Sequence, residues 1–278
     1  MKNNLYTLKE ENTHMAEARI IAERRPDQPQ ALYLTISNPD SYNAFTVEMR
    51  QEIVKQLENA ENDRTIKVII LQGEGDKCFS SGLSMEMLDS IQTTDDRIEQ
   101  WKIGKDVRDA LTNSNKIIVS AVKGSCAGAG LEFTLCCDLV YCADNAKFVL
   151  PEFNIGLTPG CGGALSLHKR IPYNRFMEMV IFCDRMRAEE AHRLGFVNKV
   201  FPLAEFDAEL HKLVDVLCTR PPLAVKGLKE QLRIQHTLGD EAALRKEFDL
   251  AINLMATNDF KNAVKAFRNK QPPVFNGD

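Results

Sequence analysis

Two acidic residues, Glu132 and Glu152, stand among apolar residues within a glycine-rich segment that runs from Lys123 to Gly163. A carboxyl group in apolar surroundings tends to have a raised pKa, which suits proton transfer near neutral pH. Glycine adopts backbone conformations that other residues avoid, and it lets a ligand approach the peptide groups closely. We therefore place the chemistry of this chain in this segment. Each acid also has a plainer interpretation, Glu132 as an ordinary first-turn helix residue and Glu152 as a solvated turn residue.

Two glycine-flanked turns are candidates to supply backbone N–H groups to the same site. They are Ser81-Gly82-Leu83 and Gly128-Ala129-Gly130, and each follows a predicted buried strand. If those strands are neighbours, the turns lie at one edge of the sheet, and their N–H groups can converge on one carbonyl oxygen. That arrangement is an oxyanion hole, which stabilises enolate-like transition states. The alternative is that the glycines only permit tight packing of strand against helix, and the residues alone leave both interpretations open.

Composition excludes several classes of protein. The chain has 278 residues, 44% of them hydrophobic and 27% charged, as is typical of a globular protein. Its net charge of -4 gives no reason to expect nucleic acid or a membrane surface as a partner. We see neither a bilayer-spanning apolar run nor a signal-type segment, so we expect a cytoplasmic protein.

The cysteines and histidines do not form a metal-binding pattern. The eight cysteines contain no CxxC pair, and the five histidines are scattered along the chain. We therefore expect reduced, mostly buried thiols and no metal site. Cys161, between two glycines, is a minor candidate for a nucleophile, although no histidine stands at a telling spacing from it.

The order of predicted elements indicates an α/β fold. Apolar runs at 31–37, 67–72, 117–122 and 138–143 are typical of strands, and helical patterns separate them. The pattern becomes almost entirely helical after about residue 162. The motifs GxGxxG, GxxxxGK[ST] and GxSxG are absent, which argues against a dinucleotide site, a P-loop and a nucleophile elbow.

Four segments together carry a resemblance to a known family. They are NPDSYNAF at 38–45, CFSSGLSM at 78–85, VKGSCAGAGLEFTLCCD at 122–138 and LPEFNIGLTPGCGG at 150–163. From about Ile20 to its end the chain resembles the enoyl-CoA hydratase/isomerase (crotonase) superfamily. The resemblance implies a superhelix of ββα units, with a core at 1–204 that carries the acyl-CoA site. It also implies a helical region at 205–278 that joins subunits into a homotrimer or homohexamer.

The resemblance also implies roles for particular residues. The backbone N–H groups of Leu83 and Ala129 would hold the thioester carbonyl, Glu132 and Glu152 would be the catalytic pair, and the Gly160 N–H would help hold the water. Coenzyme A is then part of the substrate and no separate cofactor is expected. The expected CoA contacts come from one loop and from the basic C-terminal tail: Asp40, Ser41, Tyr42, Ala44 and Lys270.

The acyl group of the substrate is expected to lie against Met85, Met87, Leu88 and Trp101, which have an equally good interpretation as core residues. Two acids can hold and activate a water between them, so we favour hydration of a 2-enoyl-CoA. Isomerisation, thioester hydrolysis, C–C bond cleavage, and a CoA-binding or RNA-binding homologue with secondary catalysis remain alternatives. Departures from the usual motifs at Leu83, Glu86 and Ala129 indicate a specialised branch of the family.

Overall fold

The structure is a computed structural model that describes residues 17–235 and 237–278, so residues 1–16 of the predicted core lie outside it. The strands are β1 Arg19–Arg25, β2 Gln28–Ser37, β3 Val68–Gly73, β4 Cys78–Ser80, β5 Ile117–Val122, β6 Ser125–Ala127, β7 Leu139–Ala143, β8 Lys147–Val149, β9 Met186–Arg187 and β10 Lys199–Phe201. The helices are α1 Val47–Asn62, α2 Met85–Ser90, α3 Thr94–Asn113, α4 Ala129–Thr134, α5 Gly163–Leu167, α6 Tyr173–Ile181, α7 Ala188–Leu194, α8 Phe206–Cys218, α9 Pro222–Gln235, α10 Asp240–Met255 and α11 Asn258–Arg268.

A six-stranded sheet in the order β1-β2-β3-β5-β7-β10 forms the centre of the fold. Its strands pair in parallel except β1, which is antiparallel to β2. Alternate residues of β3 enter different cores, Ile69 on one face and Ile70 on the other. Because both faces are buried, the strand reads as an unbroken apolar run, which is why the sequence predicts it.

A second, four-stranded sheet has the order β4-β6-β8-β9. Each ββ pair along the chain, β3 with β4, β5 with β6 and β7 with β8, gives one strand to each sheet. The two candidate turns therefore follow β4 and β6, whereas the sequence analysis assigned them to the longer strands before these. Strands of two or three residues are too short to show periodicity, which is why the sequence does not reveal them.

The helices after residue 205 pack on the core by two routes. Phe206 and Leu210 of α8 are buried against the six-stranded sheet. Lys229 of α9 donates through Nζ to Asp138 at 2.6 Å and to the Lys116 carbonyl at 2.8 Å. The division of the chain at residue 204 stays a prediction.

In the part of the chain that the structure describes, no helix is both long and apolar enough to cross a membrane.

The loop between β2 and α1 is fixed against β4 by Asn43. This residue is buried and has a φ of 56°, in the left-handed region. Its side chain accepts the Asn38 N–H at 3.1 Å and donates to the Glu74 carbonyl at 3.0 Å and the Cys78 carbonyl at 2.7 Å. One side chain thereby holds three backbone segments together, immediately before the turn at Ser81–Leu83.

We expect Asn43→Ala to lower the free energy of unfolding by about 3 kcal/mol, since it removes three hydrogen bonds to backbone groups, two of them buried, and keeps a positive φ at a residue with a Cβ. Urea denaturation followed by circular dichroism measures the change. Asn62→Ala, in the exposed last turn of α1, is the matched control and should change stability little. Equal stability of the two variants would contradict this role.

Candidate active site

A cavity of about 310 Å³ lies where the turns after β4 and β6 meet the segment that follows β8. Its wall is mostly apolar, with a small number of polar groups, as is typical of sites for small organic ligands. Several residues singled out from the sequence line this one cavity: Leu83, Met85, Leu88, Ala129, Glu132, Glu152 and Gly160.

The two turns approach each other as closely as backbone atoms allow. Gly82 has a φ of 103°, and a methyl group on it would lie 3.3 Å from the Ala127 carbonyl oxygen and 3.5 Å from the Ala129 nitrogen. The parallel pairing of β4 with β6 brings both turns to the same edge of the second sheet. Gly82 of the first turn therefore lies against the backbone of Gly128 and Ala129 in the second.

Both proposed N–H donors occupy positions that leave them outside the regular hydrogen-bond pattern. Phe45 donates to the Gly82 carbonyl at 2.7 Å and accepts from the Ser84 N–H at 3.0 Å, so the N–H of Leu83 faces away from Phe45. Ala129 is the first residue of α4, and first-turn N–H groups have no partner within their own helix. Both residues also line the cavity.

Glu132 is a buried carboxyl group held by backbone donors. It is 3% exposed, and its Oε1 accepts the Cys161 N–H at 2.7 Å and the Gly163 N–H at 2.9 Å. Burial raises the pKa of Glu132, while hydrogen bonds from Gly163, Cys161 and Gly160 act to lower it. A methyl group on Gly163 would lie 2.7 Å from Cγ of Glu132, so this contact requires glycine.

Glu152 has a different environment. Burial raises the pKa of Glu152 to about 7, and the neighbouring charge of Glu132 adds to the shift. Its Oε2 is the one fully enclosed side-chain polar atom without a hydrogen-bond partner among residues 17–235 and 237–278. Its Oε1 would be 3.4 Å from a methyl group on Gly128, so this carboxyl group lies beside the second turn. The two acids thus differ in hydrogen bonding although they share a cavity.

Two of the four residues expected to contact the acyl group do not line the cavity. Met85 and Leu88 are three positions apart on α2 and share the face that lines it. Met87 points to the other side, where its Sδ lies 2.9 Å from Nη2 of Arg50. Trp101 lies on α3 and is 57% exposed. Met87 and Trp101 do not line this cavity, and their expected contact with the acyl group stays a prediction.

The loop expected to contact CoA borders the cavity through Ser81. The Ser81 N–H donates to the Tyr42 carbonyl at 3.0 Å, and its Oγ donates to the Ser41 carbonyl at 3.1 Å. Tyr42 is 66% exposed, whereas Ala44 is buried. Asp40 lies in the 3₁₀ turn that precedes them.

Lys270, the remaining residue expected at the CoA, lies two positions after the end of α11 and is exposed. It does not line the cavity of its own chain.

The structure adds wall residues that the sequence analysis did not select. Asn154, Ile155, Leu157 and Thr158 line the cavity between Glu152 and Gly160. Their position inside the glycine-rich segment was the available signal, and nothing in their residue types distinguished them. Cys161 also lines the cavity, and burial raises the pKa of its thiol to about 12, so it is not an ionised nucleophile near neutral pH.

Within residues 17–235 and 237–278, no group of three or more His, Cys, Asp or Glu side chains is placed to hold a metal ion.

Comparison with known proteins agrees with the predicted family. The sequence model described as enoyl-CoA hydratase/isomerase matches residues 28–278. A 2,3-dehydroadipyl-CoA hydratase of Escherichia coli is 31% identical over 254 residues, which cover 90% of this chain and 96% of that protein. A crotonyl-CoA hydratase of Syntrophomonas wolfei is 29% identical over 261 residues, which cover 94% of this chain and 99% of that protein.

Solved structures show the same fold. The crystal structure of an enoyl-CoA hydratase from Polaromonas sp. JS666 superimposes with a TM-score of 0.87 at 28% identity, covering 92% of this chain and 99% of that one. The predicted crotonase-type α/β fold is thus confirmed. With its match over residues 28–278, the chain belongs to the enoyl-CoA hydratase/isomerase (crotonase) superfamily.

Proposed function

We propose that this protein is a hydro-lyase that adds water across the 2,3-double bond of an enoyl-CoA thioester. The observation that carries the proposal is that two carboxyl groups, the buried Glu132 and the partly buried Glu152, share one cavity with Leu83 and Ala129. The names of the two hydratase relatives agree with this chemistry. Coenzyme A enters as part of the substrate, and the proposal includes no other cofactor.

The thioester carbonyl would accept hydrogen bonds from the N–H groups of Leu83 and Ala129. As the oxygen of water bonds to C3, the double-bond electrons move toward the carbonyl, and the enolate oxygen gains negative charge. Preorganised N–H donors stabilise that charge most where water is excluded. The apolar lining of the cavity favours such exclusion.

The two acids would divide the proton transfers. Burial raises the pKa of Glu132 as well, but its Oε1 accepts two backbone N–H groups that oppose this effect and stabilise the carboxylate, so we assign Glu132 as the base that takes a proton from the water. The raised pKa of Glu152 keeps part of it protonated at neutral pH, so we assign it as the acid that gives a proton to C2. The Gly160 N–H would help position the water. One water is consumed, and both protons end on the product after the acids exchange a proton.

We expect Glu132→Gln and Glu152→Gln each to lower kcat for hydration of crotonyl-CoA by about 100-fold to 10,000-fold, because each removes a positioned proton donor or acceptor. Loss of the enoyl thioester absorbance measures the rate. Glu58→Gln, exposed on α1, is the control and should retain activity. Near-normal turnover by both cavity variants would contradict the assignment.

The alternative reactions give different results with the wild type. Activity only on a 3-enoyl thioester would favour an isomerase, and release of free CoA would favour a hydrolase.

The pH dependence of kcat/KM tests which acid gives the proton. If protonated Glu152 is required, kcat/KM for hydration should fall as the pH rises through about 7, since the free enzyme then loses that proton. The same profile measured on Glu152→Gln should lack this descending limb and keep only its residual rate. A kcat/KM that rises through the same range would reverse the assignment and make Glu152 the base.

We further propose that the chain forms a homotrimer or homohexamer through its C-terminal helices. Leu244, Phe248 and Ile252 are spaced four residues apart on α10, and each is more than half exposed. Exposed apolar stripes of this kind mark protein interfaces. The exposed position of Lys270, away from its own cavity, is compatible with a contact to the CoA bound by a neighbouring subunit.

Sedimentation velocity tests the assembly. We expect the wild type to sediment as a trimer or hexamer and the double variant Phe248→Asp with Ile252→Asp as a monomer, because the two charges would have to be buried without partners. Asn253→Asp adds a charge on the same helix outside the stripe and should leave the mass unchanged. A monomeric wild type would refute the proposal.

A further inference from the structure

Arg50 is a buried cation whose hydrogen-bond partners are all uncharged. It is 1% exposed, and in the described residues no acidic side chain lies within salt-bridge distance of it. Its Nε donates to the Thr46 carbonyl at 3.3 Å, and its Nη2 contacts Sδ of Met87 and Oε1 of Gln100. Burying a cation without a counter-charge costs roughly several kcal/mol of folding free energy. The presence of a buried arginine here therefore calls for a reason beyond packing.

One nitrogen of this guanidinium has spare donors. Nη1 of Arg50 donates no hydrogen bond to any residue in the described ranges. Among the described residues, Oε2 of Glu152 is the one side-chain nitrogen or oxygen that is both fully enclosed and without a hydrogen-bond partner. Nη1 of Arg50 also has no partner, so it is not fully enclosed. Both Nη1 and Nη2 together form the fork that matches the two oxygens of a carboxylate.

The guanidinium lies directly behind the wall of the cavity. Met87, which contacts it, belongs to α2, and the opposite face of that short helix carries Met85 and Leu88 into the cavity. Gln100 is one helical turn before Gly104, where an added methyl group would lie 2.6 Å from Sγ of Cys161. Cys161 itself lines the cavity. The cation is therefore flanked by two parts of the acyl wall.

We propose that Arg50 selects acyl groups that end in a carboxylate, so that the preferred substrate of the proposed hydratase is an enoyl-CoA of a dicarboxylic acid. This inference rests on the proposed function and names its substrate class. The methylene part of the chain would contact the apolar wall, and the terminal carboxylate would accept hydrogen bonds from Nη1 and Nη2. Met87 covers the guanidinium with a flexible thioether, which can change rotamer to admit the carboxylate.

A purely structural role for Arg50 gives different expectations. A structural arginine gains its stability from the Thr46, Met87 and Gln100 contacts and is indifferent to the charge of the ligand. An arginine that selects the substrate loses that function when a carboxylate of the protein itself pairs with its guanidinium. Gln100→Glu supplies that carboxylate while keeping Arg50 in place, and it gives the buried cation a partner, so it should not harm folding.

The test uses saturated thioesters, whose binding does not depend on turnover. Calorimetry compares succinyl-, glutaryl- and adipyl-CoA with butyryl-, pentanoyl- and hexanoyl-CoA, pairs of equal chain length that differ in the terminal carboxylate. We expect the wild type to bind the carboxylate form about tenfold or more tightly for at least one length, as for a charge-assisted hydrogen-bonded pair. Arg50→Met and Gln100→Glu should each abolish this preference, whereas Gln100→Met should keep it.

Two results would overturn the inference: no preference at any chain length in the wild type, or a preference that survives in Gln100→Glu. Because Gln100→Glu retains the arginine, the comparison stays decisive even if Arg50→Met fails to fold. Hydration of crotonyl-CoA and of the 2-enoyl thioester of the preferred dicarboxylic acid, both measured on the same wild-type preparation, separates the two proposals. A protein that binds the carboxylate forms selectively but hydrates no enoyl thioester would refute the hydratase and leave the binding preference established.

Discussion

Close backbone contact between β4 and β6 is the constraint on which the candidate site depends. Methyl groups would lie 2.0 Å from the Lys77 carbonyl oxygen if placed on Gly124 and 2.9 Å from Cβ of Ser80 if placed on Gly130. At these two glycines and at Gly82, the neighbouring segment leaves little or no room for a side chain. Tight packing and oxyanion binding are therefore not competing explanations of the glycines. The packing brings the two turns together, and the proposed oxyanion hole would be its consequence.

The sequence predicts the larger sheet well because its strands are buried on both faces. Ile117–Val122, for example, has the same bounds in the structure as in the apolar run. The second sheet could not be predicted in this way, since Ser125–Ala127 and Lys147–Val149 are three residues long. Yet this second sheet positions the turns. Family resemblance supplied the site residues that local patterns could not, and it did so without knowledge of the strands that carry them.

Side-chain direction is the part of the site that the sequence leaves open. The hydrogen bonds to Glu132 come from Cys161 and Gly163, about thirty residues further along the chain, so no local pattern distinguishes this acid from Glu152. The same holds for α2, where neighbouring methionines take opposite directions and only Met85 lines the cavity. Both distinctions arise from tertiary packing, and both decide what the cavity can do chemically.

Two polar groups near this cavity break the rule that buried polar atoms are satisfied within the protein. Glu152 has an enclosed oxygen without a partner, and Arg50 is a buried cation without a counter-charge. Each arrangement lowers the stability of the unliganded protein. Natural proteins keep such local violations mainly at functional sites, where a ligand completes the interactions. In the proposed hydration, the water between the two acids would give the Glu152 oxygen a partner, and an anionic group at the far end of the acyl chain would give Arg50 a counter-charge. Both departures from ideal packing would then have their reason in the bound substrate and water rather than in the packing of the protein alone.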